Sequence, residues 1–279
     1  MNKSYVSLTI LKTVLGIEDT TDDGELRRLM ETASEQIDAF CRRSFEARIE
    51  TRYYDGVGSS LLLHADLLSL TTLKTDADEN GTYENTYAAT DYLLYPLNKR
   101  FSPEGVSKSE IQLSNLSAYS SFATGTKNGV EVVGLWGYGN GKSATPYGPS
   151  GVTTSEELDA SETGVDVSDG SVFGIGQTIL VELEQMYITA IATNTLTVVR
   201  AVNGTTAATH VTAKAISVYE YPSAISEACL MMAARLWKRK DSSFATIIGV
   251  PEVGTMNIFR GLDLDVKLLL EPYIAEVTI

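Results

Sequence analysis

The chain has 279 residues, a formal net charge of −14, and hydrophobic residues at 43% of its length. These values suit a globular protein that buries a core without disulfides or metals. The acidic balance argues against a protein that grips nucleic-acid phosphates through basic patches, although it permits a surface past which DNA slides without sticking. No apolar run reaches the roughly 18 residues that span a bilayer, and no signal peptide is visible. We therefore expect a protein that is made and used in a cytoplasm, or in a particle assembled there, with no membrane partner.

Helical patterns lie at the two ends of the chain. Residues 7–15 predict a short helix that ends at Gly16, and residues 21–44 predict a longer one whose apolar side chains recur at helical spacing. Asp22 and Glu25 predict a variant of the capping box at the start of this second helix. Helix returns at 222–241 and again at 262–277.

The amphipathic helices need partners, and the best candidates are one another. We expect Leu29, Ile37 and Phe40 to pack against the helices of 224–240 and 262–277, with Cys41 near Cys229 as a further possibility. Both cysteines stand in apolar helical stripes, which predicts two buried, reduced thiols.

The middle of the chain predicts β-structure. Residues 49–138 contain strand patterns and a hairpin signal at Asn80-Gly81. Residues 139–162 are rich in Gly, Ser, Thr and Pro, which predicts a linker. Residues 164–219 predict five short strands with tight turns, typical of a small barrel or sandwich. The segment 140–220 holds nine acidic and three basic residues, a net charge of −6.

The predicted fold class is therefore α+β, with a small discontinuous helical bundle, β-hairpins, and an inserted all-β domain of barrel or sandwich type. The predicted domains are a helical and β core, residues 1–139 and 221–279, and an inserted acidic β-domain, residues 140–220.

No assembled catalytic site is evident. The run Gly137–Ser143 ends in Gly-Lys-Ser but lacks both the first glycine of a phosphate-binding loop and the helix that must follow it. The two histidines, His64 and His210, predict packed or solvated side chains. Asp76 and Asp78 predict solvated loop carboxylates, with Ca²⁺ binding as the lesser alternative. We expect no enzyme activity, no catalytic residue, no cofactor and no metal.

One basic cluster stands out near the C-terminus. Cations at the end of the 222–241 helix suit the helix dipole, and contact with an acidic partner is the second interpretation. The following loop, 242–261, is unusually apolar, so it either folds back on its own helices or extends into a partner; we favour the partner. The candidate interface residues are Arg235, Trp237, Lys238, Arg239, Lys240, Phe244, Ile247, Ile248, Met256, Phe259 and Arg260.

Several short segments, none of them catalytic, carry a resemblance over roughly residues 1–139 and 221–279. They are Leu8-Thr-Ile-Leu-Lys12, the helix of 23–45, Tyr53-Tyr-Asp-Gly56, Val132-Val-Gly-Leu-Trp-Gly-Tyr-Gly139, the helix of 224–240, and Asp265-Val-Lys-Leu-Leu-Leu-Glu-Pro-Tyr273. In these the chain resembles the head–tail connector (adaptor) proteins of tailed bacteriophages. The family's Trp-Gly-Tyr-Gly strand is normally followed by a proline that opens a helix, and here Pro222 comes only after about 80 further residues.

The resemblance implies a structural virion protein at the head–tail junction, assembled in the host cytoplasm. It implies a ring of twelve copies beneath the portal protein, in contact with tail or further connector proteins, through which genomic DNA passes without specific binding. The extra segment 140–220 looks like small β-modules of phage structural proteins. The alternative is a phage tail or collar component whose β-insert binds another virion protein or a glycan.

Overall fold

The computed structural model describes residues 3–98, 106–240, 247–250, 254–257 and 262–275, with backbone alone for 247–250 and 254–257. The described α-helices are α1 (Leu8–Leu15), α2 (Asp23–Cys41), α3 (Ser223–Arg239) and α4 (Leu264–Leu270). A 3₁₀ turn, Glu271–Tyr273, follows α4. The helix predicted over 262–277 is therefore shorter, because Pro272 cannot continue an α-helix.

The two N-terminal helices begin and end largely as predicted. α1 ends at Gly16, whose φ of 68° is the left-handed cap conformation that glycine adopts freely. α2 begins where predicted, but Asp22 makes no side-chain capping bond. Instead the Asp22 and Asp23 carboxylates form ion pairs with Lys240 (3.8 Å) and Lys12 (2.7 Å). The capping-box prediction was wrong: the backbone of Asp22, at φ −97° and ψ 3°, is not in the extended conformation that a capping residue usually adopts.

The first sheet is antiparallel, and its central strand is β2, which pairs with β6, β5 and β3. Its order is β1-β6-β2-β5-β4, with β3 paired to β2. In β6 alternate residues are buried, which places Val130, Val132 and Trp136 in the core. The strands are β1 (Arg48–Tyr54), β2 (Leu61–Thr75), β3 (Asn85–Thr86), β4 (Tyr92–Tyr95), β5 (Lys108–Leu113) and β6 (Val130–Trp136).

The second sheet is also antiparallel and has the order β7-β12-β9-β10-β11-β8. Its two end strands meet through a bridge between Thr154 and Val167, so the sheet curls back on itself. Its first strand lies in the segment 139–162, which was predicted to be a linker. Edge strands tolerate glycine and proline, so these residues did not prevent pairing. The strands are β7 (Tyr147–Thr153), β8 (Gly164–Asp166), β9 (Thr178–Val181), β10 (Glu184–Ala192), β11 (Thr195–Val199) and β12 (Ala215–Tyr219).

A separate two-stranded ribbon lies between α3 and α4. It consists of β13 (Ile247–Val250) and β14 (Gly254–Asn257), which pair antiparallel. The sequence predicted a loop over 242–261, and the described part of that segment is this hairpin.

The predicted fold class, α+β with a helical bundle as core, was wrong. The protein is mostly β: two six-stranded antiparallel sheets account for most of about 33% strand, against about 25% helix. The helices contact one another, and α3 packs against α1, α2 and α4, but they form no bundle core. The error came from weighing amphipathic stripes as evidence of a bundle, when a helix can pack against a sheet as well as against helices.

Contacts divide the chain into two compact units. Unit 1 comprises residues 1–42, 147–202 and 206–274, and unit 2 comprises 43–146, 203–205 and 275–279. The helices and most of the predicted insert thus share a unit. That the segment 140–220 folds on its own stays a prediction.

Within unit 1 the N-terminal helices are bound to the second sheet and its loops. The Leu8 amide donates to the Ile175 carbonyl oxygen at 2.9 Å, and the Arg27 guanidinium donates to the Thr189 carbonyl oxygen at 2.9 Å. A Cβ on Gly176 would lie 3.0 Å from the Met30 methyl carbon. This close approach, together with a positive φ of 95°, accounts for the glycine there.

The cysteines confirm the prediction of buried, reduced thiols. The Cys229 sulfur lies 3.4 Å from the Ser34 hydroxyl oxygen, and the Cys41 sulfur lies 3.9 Å from the Leu270 carbonyl oxygen. Burial raises the pKa of Cys229 to about 11, which keeps that thiol protonated and unreactive at neutral pH.

Candidate docking surface

The C-terminal half of α3 carries the cationic cluster that the sequence singled out, and part of its charge is neutralised within the chain. The Arg235 guanidinium lies 2.5 Å from the carboxylate of Asp263, the residue before α4. The Lys240 ammonium lies 3.1 Å from the centre of the Trp237 ring and 3.8 Å from the Asp22 carboxylate. These contacts join α3 to the start of α4 and to the start of α2.

The remaining cations of the cluster differ in exposure. Arg239 is half-buried, whereas Lys238 is exposed and has no ion pair with any residue that the structure describes. Lys238 is therefore the member of the cluster best placed to meet an external carboxylate.

Helix α4 adds exposed apolar surface beside this cationic end. Leu264 and Leu268, one helical turn apart, are 70% and 59% exposed, while Val266 and Leu270 are buried. Leu264 directly follows Asp263, which the Arg235 ion pair holds against α3. We call Lys238, Leu264 and Leu268 the C-terminal patch.

The other predicted interface residues lie in or beside the hairpin. Ile248 stands opposite Met256 in the ribbon, and Ile247 stands opposite Asn257. Phe244, Phe259 and Arg260 lie outside the described residues. An isolated two-stranded hairpin is marginally stable in water, and β13 and β14 belong to neither six-stranded sheet among the described strands.

A buried ionic network in the second sheet was missed by the sequence analysis. The Glu184 carboxylate accepts two hydrogen bonds from Arg200, at 2.6 and 2.7 Å, and one from His210 at 3.0 Å. Backbone amides of Ala201 and Ala208 donate to the same carboxylate. The sequence offered one signal, polar residues in or beside predicted strands (Glu182, Glu184 and Arg200) with His210 in a loop, and this signal does not specify a network.

Burial raises the pKa of Glu184, but the bonds from Arg200, His210 and Ala208 outweigh it and lower that pKa to about 2. Glu184 is thus ionised at neutral pH. Both oxygens of the Glu184 carboxylate accept hydrogen bonds from neighbours. The network therefore stabilises the loop 200–210, and this carboxylate is not a free group for catalysis.

Three carboxylates gather at the loop that connects β2 and β3. The oxygens of Asp76, Asp78 and Glu84 lie within 4.8 Å of one another. However, Asp76 accepts backbone N–H bonds from Asp78, Glu79 and Gly81 at 2.8–3.1 Å. Burial raises the pKa of Asp76, but these hydrogen bonds outweigh it, so the pKa of Asp76 lies below its ordinary value. The carboxylate therefore serves to fold the loop.

Comparison with models of known protein families and with curated proteins finds no match for this chain. None of the described helices combines the length and the apolar composition needed to cross a bilayer.

Proposed function

We propose that this chain is a structural virion protein of a tailed bacteriophage, an adaptor whose copies form a ring of twelve beneath the portal and continue the DNA channel towards the tail. The observation that carries the proposal is the C-terminal third: a cationic helix end, exposed leucines on α4, and between them a hairpin apart from both sheets. The motif resemblance supports the family.

In a single copy this region leaves two leucines of α4 exposed and a hairpin outside both six-stranded sheets. Exposed leucines at helical spacing cost free energy in water unless a partner covers them. A hairpin with two strands gains stability when it packs on, or pairs with, another surface. An assembly of copies on a portal supplies such partners.

The charge distribution fits a channel component. A net charge of −14 repels phosphate, so DNA can pass without being held. Arg235 and Lys240 form ion pairs with Asp263 and Asp22. Lys238 is then the cation of this helix end that can contact an acidic partner.

The first experiment removes the hairpin. Residues 247–257 are replaced by a short Gly/Ser linker, and the variant is tested by sedimentation and by incorporation into portal-containing heads. We expect a folded protein that neither forms rings nor joins heads. Full incorporation of this variant into infectious particles would refute the proposal.

The second experiment tests the C-terminal patch. Lys238→Glu should weaken docking on heads, more at low salt than at high salt. Lys142→Glu is the matched control, because Lys142 is also exposed and lies far along the chain in the other unit. Equal effects of the two reversals would indicate a general charge effect and remove the patch from the proposal.

The alternative, a tail or collar component that binds through its β-insert, is favoured by one observation. Leu183, at the tight turn between β9 and β10, is 86% exposed. If Leu183→Ser abolishes tail attachment while rings still form on the portal, the insert carries the decisive contact and the alternative is correct.

A further inference from the structure

Four asparagines of this chain are each followed directly by glycine: Asn80, Asn128, Asn140 and Asn203. Asparagine is chemically labile, and in an Asn-Gly pair the glycine nitrogen can attack the side-chain amide carbon, since glycine has no Cβ to hinder the approach. The asparagine side chain and the glycine nitrogen must both be able to move into that geometry. The fold therefore decides which of the four pairs can react.

The side chain of Asn80 is fixed at both of its polar atoms. Its Oδ1 accepts a hydrogen bond from the Thr82 amide at 2.7 Å, and its Nδ2 donates to Asp78 at 3.0 Å. The Gly81 amide, which would be the nucleophile, donates to the Asp76 carboxylate at 2.8 Å. Attack would have to break these bonds, so this pair is protected although Asn80 is exposed.

The pairs at Asn140 and Asn203 are restricted by burial and close packing. Asn140 is 7% exposed, and its Oδ1 accepts bonds from the amides two and three residues further on, both at 2.9 Å. Gly204, which follows Asn203, lies so close to the backbone of β1 that a Cβ on it would be 2.1 Å from the Ile49 carbonyl oxygen. Ring closure at either pair would have to disrupt these contacts.

Asn128 differs from the other three. It is exposed, and within the described part of the chain neither its side chain nor the Gly129 N–H makes a hydrogen bond. Only its backbone is bonded: its amide donates to Asp55 at 3.0 Å, and its carbonyl oxygen accepts from the Tyr83 hydroxyl at 2.9 Å. The amide carbon of Asn128 can therefore turn towards the Gly129 nitrogen without losing a side-chain bond.

We propose that Asn128 is a site of spontaneous deamidation and that its isoaspartyl product loosens the turn 126–129. The Gly129 nitrogen forms a bond to Cγ of Asn128 while the Cγ–Nδ2 bond breaks, and the proton of the Gly129 N–H leaves with Nδ2 as ammonia. Water then opens the five-membered ring at one of its two carbonyl carbons, which gives aspartate or isoaspartate. Water is the co-reactant, and nothing is oxidised or reduced. The inference is independent of the proposed virion role.

The product changes both the charge and the main chain at this turn. A neutral amide becomes a carboxylate, so the net charge of the chain goes from −14 to −15, and the new charge stands beside Asp55. In isoaspartate the main chain also gains a carbon before Gly129. The Gly129 carbonyl oxygen accepts the Asp76 amide at 2.9 Å, and we expect the longer chain to displace it and weaken this bond.

The first test is ageing of the full-length protein at pH 8, followed by peptide mass spectrometry and enzymatic labelling of isoaspartate. We expect Asn128 to react roughly tenfold faster than Asn80 or Asn140, because those two must first break hydrogen bonds. The same protein in urea is the control, and there the four pairs should react at similar rates. Another pair that reacts as fast as Asn128 in the folded protein would overturn the proposal, as would the same ranking in urea.

Two variants test the assignment through charge. Asn128→Gln keeps an exposed carboxamide but would have to close a larger ring, so the early acidic form seen by isoelectric focusing of the aged protein should disappear. Asn80→Gln is the matched control on the other exposed pair, and it should leave the early acidic form unchanged. Persistence of that form in Asn128→Gln, or its loss in Asn80→Gln, would contradict the assignment.

Amide hydrogen exchange tests the loosening of the turn. Asn128→Asp has the charge of the product but an ordinary main chain, so it separates the two effects. We expect the Asp76 amide to exchange roughly tenfold faster in the purified isoaspartyl form than in Asn128→Asp, as for loss of one hydrogen bond. Equal exchange in the two proteins would refute the loosening.

Discussion

The two six-stranded sheets have the same antiparallel pairing but different interiors. The core of the first sheet is rich in aromatic rings: Tyr87 lies 5.9 Å from Phe122, and His64 packs edge-on against Trp136 at 5.6 Å between ring centres. The core of the second sheet is aliphatic apart from Phe173. Its distinctive element is instead the ionic network of Glu184, Arg200 and His210.

The two sheets should be destabilised most by different kinds of substitution. An aromatic core loses large contact areas and ring geometry when one ring is removed. An aliphatic core of similar branched side chains tolerates exchange better, but a buried charge becomes costly as soon as its partner is lost. The stability of the first sheet should therefore depend most on the volume of its core side chains. The stability of the second sheet should depend most on the pairing of its buried charges.

The largest effect should come from Trp136→Ala in the first sheet. Trp136 is 1% exposed and its indole N–H donates to the Glu50 carbonyl oxygen at 3.0 Å. We expect a loss of about 3–5 kcal/mol of unfolding free energy, measured by urea unfolding followed by circular dichroism. Ile179→Val in the second sheet is the comparison, with about 0.5–1.5 kcal/mol expected. Equal losses would break the contrast between the two cores.

Arg200→Met should destabilise the second sheet. Methionine fills similar volume but leaves Glu184 buried without its main partner, which should cost about 3–5 kcal/mol. The double variant Arg200→Met/Glu184→Gln removes the stranded charge, so it should be more stable than Arg200→Met alone. A double variant that is less stable than the single one would show that volume, not charge, governs this site.

Acid should unfold the second sheet through Glu184. Because the folded pKa of about 2 lies below the ordinary 4.5, the ion pair contributes stability above pH 4.5 that is lost as pH falls towards 2. The loss should be about 3 kcal/mol. Thermal melts of the wild type should fall through this window, whereas those of Glu184→Gln should be flatter; parallel profiles would contradict the assignment.

The parts that the sequence predicts correctly are those with strong local signals. The Gly16 cap of α1 and the amphipathic α2 follow from local signals, and the structure has both, although α2 is shorter than the predicted 21–44. The fold class did not follow, because which faces pack together is decided by contacts distant in sequence. β7 was missed for the same reason: its pairing with β12 joins residues 62 to 72 positions apart.

The candidate site shows the same limit. The cations of α3 are visible as a run in the sequence, but their partners Asp263 and Asp22 lie on other elements, so which cation stays free could not be deduced. His210 gave no sign of burial, since it stands in a loop rich in Gly, Thr and Ala. An ionic network between residues distant in sequence is recognised only in the folded structure.

A smaller effect than that of Glu184 concerns aromatic rings outside both cores. In unit 1 the rings of Tyr147, Tyr219, Tyr221 and Tyr5 follow one another with centres 4.7–5.2 Å apart, and the Tyr5 hydroxyl donates to Asp38 of α2. Tyr5→Phe keeps the ring contacts and removes this one bond. Asp38 keeps the ammonium of Lys3 as a partner, so we expect a loss of about 1.5 kcal/mol, the low end for a bond to a charged group.

Tyr5→Leu is the matched variant, because it removes the ring as well as the hydroxyl. If the aromatic column binds the N-terminal segment to the second sheet's last strand, Leu should cost clearly more than Phe, since the stacking with Tyr221 is lost too. Chemical unfolding of the two variants measures the difference. Equal losses would assign the whole effect to the Asp38 bond. The ring contacts of Tyr5 would then add nothing to the free energy of unfolding, in contrast to those expected around Trp136.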